Sequence, residues 1–353
     1  MEMQGIIIFI ISLFGLLYAS KYLVESSVRV AKRLGISEFF IGLTIISIST
    51  SLPELVAGVA AALANETGLI IGDVIGSNIA NIGLVLGVGT LLVAIKTTAN
   101  QFKRDGIFLL FITVLFAFLS LDGVISFVEG IIFLLLFAFY MFVVYSSKDD
   151  ANFQFTTYLN SLYHLKNILT FKNSEGYLNK LLKRDGQSYE KLEKSRIIEE
   201  GVSFKIFKEV VIIIIAGIVL SLSARFLISS SVSLASALNV SKEIIGVSFI
   251  AIGTSLPELG VTIVSAKKGL YKILLGNVVG SNISNLLLIV GVSSLITPLI
   301  ISREALVFMI PGMLLMTLFL VYFIKSDWLK RSVQGILLLV LYLLFLILLI
   351  FLI

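Results

Sequence analysis

The stretch Gly42–Gly87 contains Thr50-Ser51-Leu52-Pro53-Glu54 and then Gly76-Ser77-Asn78-Ile79-Ala80-Asn81. The chain carries it a second time, between Gly246 and Gly291, as Thr254-Ser255-Leu256-Pro257-Glu258 and Gly280-Ser281-Asn282-Ile283-Ser284-Asn285. A constant offset of 204 superposes the copies without a gap, and 19 of 46 positions are identical. The shared positions include the acid, the proline before it and an Asn 27 residues further on. What is duplicated is therefore a site rather than a generic apolar pattern.

The material around these stretches is membrane-like. Of 353 residues, 58% are hydrophobic and only 14% charged, against roughly half and a quarter in a soluble domain. Between short charged connections lie apolar runs long enough to cross a bilayer. The absence of cysteine excludes disulfides, thiolate metal sites and thiol redox chemistry, and the one histidine, His164, excludes a multi-histidine metal site in one chain. The net charge of +5 fits membrane orientation better than nucleic-acid binding. The first apolar run lacks a preceding basic region and a small-residue cleavage site, so it reads as a retained helix rather than a signal peptide.

Working outward from the duplicated stretches, the sequence predicts an all-α polytopic membrane protein with ten transmembrane helices, as two inverted five-helix repeats. The expected spans are about 5–30, 38–64, 69–94, 106–120 and 124–145, then about 207–237, 243–266, 273–298, 303–324 and 332–353. This divides the chain into a first repeat, 1–145, a polar loop, 146–206, and a second repeat, 207–353. The loop holds 10 Lys or Arg residues, and Leu178–Glu200 has the charge spacing of a small surface helix.

Basic residues are unevenly distributed. Arg29, Lys32, Arg33, Lys96, Lys103, Arg104, the central loop, Lys267, Lys268, Lys272, Lys325, Lys330 and Arg331 all fall on one side, whereas the opposite connections hold Lys242 and Arg303. The positive-inside rule then places 146–206 in the cytoplasm and both termini outside. Because five is odd, the homologous halves enter the membrane in opposite orientation, the architecture of secondary transporters. The offset also pairs Lys21 with Arg225, whereas Ser229 stands where Glu25 would recur, which favours a structural role for the two cations.

Glutamate in hydrocarbon is costly, and two at duplicated positions call for a reason. Glu54 and Glu258 fall mid-membrane and read as cation ligands contributed by opposite halves. Pro53 and Pro257 lack an N–H, so carbonyls one turn earlier lose their helical donor. That leaves the Thr50 and Thr254 carbonyls placed to turn toward an ion, with hydroxyls added by Thr50, Ser51, Thr254 and Ser255. An all-oxygen cage with carboxylates suits Na⁺ or Ca²⁺ and poorly matches soft metals. Ser77 and Asn81, four apart, share a helix face that Ser281 and Asn285 repeat. Asn78 and Asn282 point elsewhere and are expected to hold the bent helix or its neighbours. Gly72, Gly76, Gly276 and Gly280 would let helices approach closely.

On these motifs the chain resembles the sodium/calcium exchanger family of the calcium/cation antiporter superfamily. Its alpha repeats carry Gly-Thr-Ser-Leu-Pro-Glu and Gly-Ser-Asn-Ile motifs, legible here in both halves. The resemblance implies alternating access and exchange of Na⁺ for Ca²⁺ at a common central site, without enzymatic activity, cofactor, nucleic acid or obligate protein partner. It implies Glu54 and Glu258 as direct Ca²⁺ ligands, backbone oxygens from Thr50 and Thr254, and flanking Na⁺ sites formed with Ser51, Ser77, Ser255 and Ser281. The carbonyls of Ser47 and Ala251 would serve those flanking sites, and Asn81 and Asn285 would sit centrally. Departures are Ser49 in place of the first motif's Gly, and amides at both Asn81 and Asn285, where members often carry one Asp. Asp73, opposite Asn277 across the offset, reads as a vestibule or structural acid. The alternatives left open are a Ca²⁺/H⁺ antiporter on the same scaffold, a K⁺-requiring exchanger and a cation channel.

Overall fold

The computed structural model describes residues 2–34, 37–95, 102–146, 206–226, 229–230, 253, 255–325 and 332–352. The central loop, with its expected surface helix, lies outside these residues, as do Ala251 and Thr254.

The apolar runs form helices. α1 is Glu2–Leu34. The second span is broken into α2, Glu38–Thr50, and α3, Leu52–Leu63, which meet at a bend of 42°. α4 is Thr67–Leu92, α5 Ile107–Leu119, α6 Phe127–Ser146 and α7 Ile206–Phe226. α8, Leu256–Lys267, is the described part of the seventh expected span. α9 is Tyr271–Ile296, α10 Ile310–Lys325 and α11 Ser332–Leu352. α1 therefore extends a few residues past its expected ends.

The break in the second span has a local cause. Ser37 starts α2 by accepting the Phe40 N–H at 3.1 Å, the usual role of a capping serine. Pro53 then sits in the first turn of α3, where its missing N–H is harmless, while Ser51 leaves helical geometry at φ −87°, ψ 6°. Ser255 repeats those angles before Pro257. The turn after each acid-bearing helix is also repeated. Asn65 at φ 58° and Gly269 at φ +69°, one offset apart, supply the left-handed residue that lets the chain reverse.

α4 and α9 are the central helices. In their apolar windows 78% and 94% of residues are buried, against 28% for α1, α6 and α7. α9 packs along α2, and its C-terminal end on α6. Gly276 and Gly280 make the α2 approach possible, as expected. A Cβ on Gly276 would stand 2.6 Å from the Phe39 carbonyl oxygen, and one on Gly280 2.6 Å from the Ser47 hydroxyl. Gly72 and Gly76 show no such approach among the described residues. Phe39 and Leu43, which Gly276 and Gly280 meet, carry across the offset to positions 243 and 247, outside the described residues.

The buried apolar side chains form two clusters. The larger joins α4, α5, α6, α9, α10 and α11. The smaller joins α1 and α7 to parts of α2, α8 and α9 through residues such as Leu23, Val24, Leu220 and Val261. A short antiparallel pair, Val124–Ile125 with Leu299–Ile300, ties the α5–α6 connection to the α9–α10 connection, and the Ile301 N–H donates to the Gly123 carbonyl at 2.8 Å.

One of the connection's basic residues is not at the surface. Arg104 lies in the expected basic connection, before α5. It is buried, binds Asp105 through two nitrogens at 2.9 and 3.0 Å, and lies 5.9 Å from the Phe39 ring centre. Asp105 also accepts the Tyr140 hydroxyl at 2.9 Å. A charge can be buried when it is paired and hydrogen-bonded in this way.

Candidate functional site

The site is assembled where α4 and α9 meet α2, α3 and α8. Glu54 and Glu258 stand in the first turns of α3 and α8, each three residues after a serine that leaves helical geometry. Both are buried, at 2% and 0% exposure. They are close enough to act on one another electrostatically. Glu258 Oε1 accepts from the Ser281 hydroxyl at 3.2 Å and from the Ser51 hydroxyl at 3.4 Å, so each repeat donates to the same acid. The Thr50 hydroxyl contacts Ser281 at 3.4 Å and donates to Asn277 Oδ1 at 3.2 Å.

The four asparagines close this arrangement in a reciprocal way. Asn81 Nδ2 donates to Asn282 Oδ1 at 3.2 Å, and Asn285 Nδ2 donates to Asn78 Oδ1 at 3.3 Å. Each bond runs between α4 and α9, and the offset turns one into the other. Asn78 and Asn282, expected to point elsewhere and hold the bent helix or its neighbours, instead accept from the amide nitrogens of the other pair and join α4 to α9. The consequence is directional. With their nitrogens engaged, Asn81 Oδ1 and Asn285 Oδ1 remain buried without a hydrogen-bond partner, as do Glu54 Oε2 and Glu258 Oε2. Four orphaned oxygens, two from each repeat, are a costly arrangement unless something positive meets them.

The backbone contributes as well. Asn81 and Asn285 open matching π-helical segments, Asn81–Leu86 and Asn285–Ile289. Single π turns of this kind recur at functional sites because they rotate the following side chains and loosen the carbonyl ladder. Ser47 is less free than expected. Its carbonyl accepts both the Ser51 N–H at 2.9 Å and the Thr50 hydroxyl at 3.1 Å, and its hydroxyl bonds back to Leu43 at 2.6 Å. With the Thr50 hydroxyl on Asn277 or Ser281 instead, that carbonyl keeps only the Ser51 N–H and has a lone pair to offer. Ser255 Oγ is buried without a partner, and Ser77 donates to Asp73 Oδ1 at 3.4 Å.

One residue is missed by the sequence reading. Asn277 is fully buried and holds Thr50, so it belongs to the assembly. Asp73, its offset mate, accepts the Ser77 hydroxyl at 3.4 Å, one turn along the same helix. The signal was present in the four-residue spacing from Asp73 to Ser77 and from Asn277 to Ser281. Among the described residues, no group of three or more His, Cys, Asp or Glu side chains forms a metal-holding cluster. Amides and hydroxyls make up most of the assembly. A cavity of about 620 Å³ lies beside α3 and α7, walled by Pro53 and Val56 of α3, Ile218, Leu222 and Arg225 of α7, and Pro257.

A family model described as sodium/calcium exchanger protein matches residues 4–146 and 208–351. The chain belongs to the sodium/calcium exchanger family. The sodium/calcium exchanger MaX1 of Methanosarcina acetivorans is 35% identical over 357 residues, covering 97% of this chain and 98% of that protein. MJ0091, an uncharacterized membrane protein of Methanocaldococcus jannaschii, is 31% identical over 342 residues, covering 97% of each chain. A solved structure of the sodium-calcium exchanger NCX_Mj, soaked with 2.5 mM Na⁺ and 10 mM Sr²⁺, superposes with a TM-score of 0.74 at 28% identity over 98% of both chains. This exchanger thus has the multi-pass fold of ten membrane helices in two inverted five-helix repeats.

Proposed function

We infer that the chain is a secondary antiporter, not an enzyme, that exchanges Na⁺ for Ca²⁺ by alternating access. The observation that carries this reading is the set of four orphaned oxygens, Glu54 Oε2, Glu258 Oε2, Asn81 Oδ1 and Asn285 Oδ1. Hard oxygen ligands with two negative charges fit one Ca²⁺, which the carboxylates neutralise. Ser51, Ser77, Ser255 and Ser281 flank this centre and would complete Na⁺ sites together with the carbonyls of Ser47 and Ala251. Thr50 and Thr254 would contribute backbone oxygens. The orphaned Ser255 hydroxyl, the cross-repeat bond from Ser51 to Glu258 and the cross-repeat contact of Ser281 with Thr50 support that division. Because the same carboxylates serve both cargoes, Na⁺ and Ca²⁺ compete for the centre, which couples their fluxes.

The proposed topology has residues 146–206 in the cytoplasm and both termini outside. Contacts between distant connections support it. The Val124–Ile125 strand pairs with Leu299–Ile300, and the Thr297 hydroxyl donates to Asn65 at 3.3 Å, which groups three connections on one side. Glu25 binds Lys268, while Glu209 binds Arg29 at 2.9 Å and Arg33 at 3.5 Å, which groups the charged ends of α1, α7 and α8 on the other. Those charged ends carry the basic excess. The two family-matched segments leave 147–207 between them, consistent with repeats at 1–145 and 207–353 about a separate loop.

Ca²⁺ uptake into proteoliposomes tests the function, with Na⁺ and proton gradients imposed separately. Uptake driven by an outward Na⁺ gradient, and unaffected by a collapsed proton gradient, is the expected result. Uptake that follows only the proton gradient would replace this reading with Ca²⁺/H⁺ exchange. Labelling of single cysteines in 146–206 and near residue 2 tests the topology.

A further inference from the structure

A second cavity, about 340 Å³, lies between α1 and α8, away from the ion site. Its floor is apolar, formed by Phe14, Leu17, Ile263 and Val264, and its rim carries Lys21, Lys267 and Lys268. All three lysines are exposed. Lys268 is bound by Glu25, so the three lysines and one glutamate leave two positive charges at the rim.

The duplication provides an internal comparison. The larger cavity, beside α3 and α7, is walled by Ile218, Leu222, Arg225 and Ala60, which the offset maps onto Phe14, Tyr18, Lys21 and Val264 of the smaller one. The two clefts are therefore inverted copies that face opposite sides of the membrane. Each keeps one exposed cation at the equivalent position, Lys21 or Arg225. They differ at the helix end. Lys267 and Lys268 stand where the first copy has Leu63 and Ala64, with Leu63 70% exposed. The same backbone cleft thus ends in two cations on one side and in apolar side chains on the other.

From this juxtaposition of an apolar floor and a lysine rim, we propose that the α1–α8 cleft is a binding site for an anionic phospholipid of the cytoplasmic leaflet. The lysines take the phosphate headgroup and Phe14, Leu17 and Ile263 take the start of an acyl chain. Assignment to the cytoplasmic leaflet rests on the proposed topology; binding does not. The bound lipid bridges α1 and α8, the two elements that Glu25 and Lys268 also join.

The experiment is native mass spectrometry of the full chain in detergent, titrated in parallel with phosphatidylglycerol and phosphatidylcholine. A cation near the headgroup contributes roughly fivefold in affinity. The wild type should retain phosphatidylglycerol about tenfold or more in preference to phosphatidylcholine. Lys21→Gln with Lys267→Gln should bring the two lipids near parity, and Arg225→Gln should leave the preference intact. Leu63→Lys with Ala64→Lys should create a second retained phosphatidylglycerol in the inverted cleft. Equal retention of both lipids by the wild type, an unchanged preference in the double glutamine variant, or no second adduct in the double lysine variant would overturn the proposal. Cysteine labelling that places 146–206 outside would move the site to the other leaflet and leave these binding results standing, so the two failures are separable.

Discussion

Glu54 and Glu258 carry the negative charge of the proposed site, and the neutral amide of glutamine has nearly the same volume. Glu54→Gln and Glu258→Gln should each reduce Na⁺-driven Ca²⁺ uptake at least about a hundredfold, since a buried cation loses a full unit of compensation. Each variant should still elute as a monodisperse peak, and near-normal flux from either one would remove it from the site. The reciprocal asparagine bonds make a subtler prediction. Asn282→Ala frees the Asn81 amide to rotate, and Asn78→Ala does the same for Asn285. Loss of a group that orients a ligand typically weakens metal affinity about 10–100-fold. The apparent Ca²⁺ affinity for uptake should fall in that range, with a smaller change in maximal rate. The acids were legible in the sequence because an ionisable residue in an apolar run is expensive and this one occurs twice. The amide pairing was not, because it depends on how α4 and α9 rotate against each other, and the π turns at Asn81 and Asn285 set that rotation.

At the scale of elements, the sequence showed where helices lie but not how they meet. Runs of about twenty apolar residues give the spans, and Pro53 marks the break, yet the 42° bend comes from packing and from Ser51 leaving helical geometry. The small-residue pattern was informative at Gly276 and Gly280, which bring α9 onto the backbone of α2. Gly280→Ala would press a methyl group against Leu43 and Ser47. Overpacking of this kind costs about 1–3 kcal/mol. Here the displaced helix also carries Ser281 and Asn285, so Ca²⁺ uptake should drop further than the thermal midpoint suggests. Fluorescence-detected unfolding measured beside transport checks this, and an unchanged uptake rate would contradict the close approach. Arg104 shows the limit of charge counting. It counts toward the basic side of the chain, and the fold buries it between Asp105 and Phe39.

For the whole molecule, the charge inventory bears on stoichiometry. Two glutamates balance one Ca²⁺ or two Na⁺, and a third Na⁺ would rest on the hydroxyls and carbonyls of the flanking sites at Ser47, Ser51, Ser77, Ala251, Ser255 and Ser281. Exchange is therefore expected to be electrogenic, with three Na⁺ per Ca²⁺. The reversal potential of Ca²⁺ flux, measured at a fixed Na⁺ gradient with voltage clamped by ionophore, should shift with voltage; a voltage-independent reversal means two Na⁺. The inverted arrangement of halves was readable from an odd helix count and uneven lysines. The strand pair between Val124–Ile125 and Leu299–Ile300 was not, since two-residue strands leave no periodicity to read. That pair has a mechanical meaning. It is a rivet through one rim of the protein, fastening the α5–α6 hairpin of one repeat to the α9–α10 hairpin of the other. Val124 and Ile300 face each other in register and both are exposed, and the native chain has no thiol to interfere. Cysteines at those two positions should cross-link under mild oxidation and leave Na⁺-driven uptake running. If the covalent rivet instead stops transport, that rim must part during each cycle; if it does not, the motion that exposes the ions in turn to the two sides happens elsewhere, around a fulcrum that these four residues hold still.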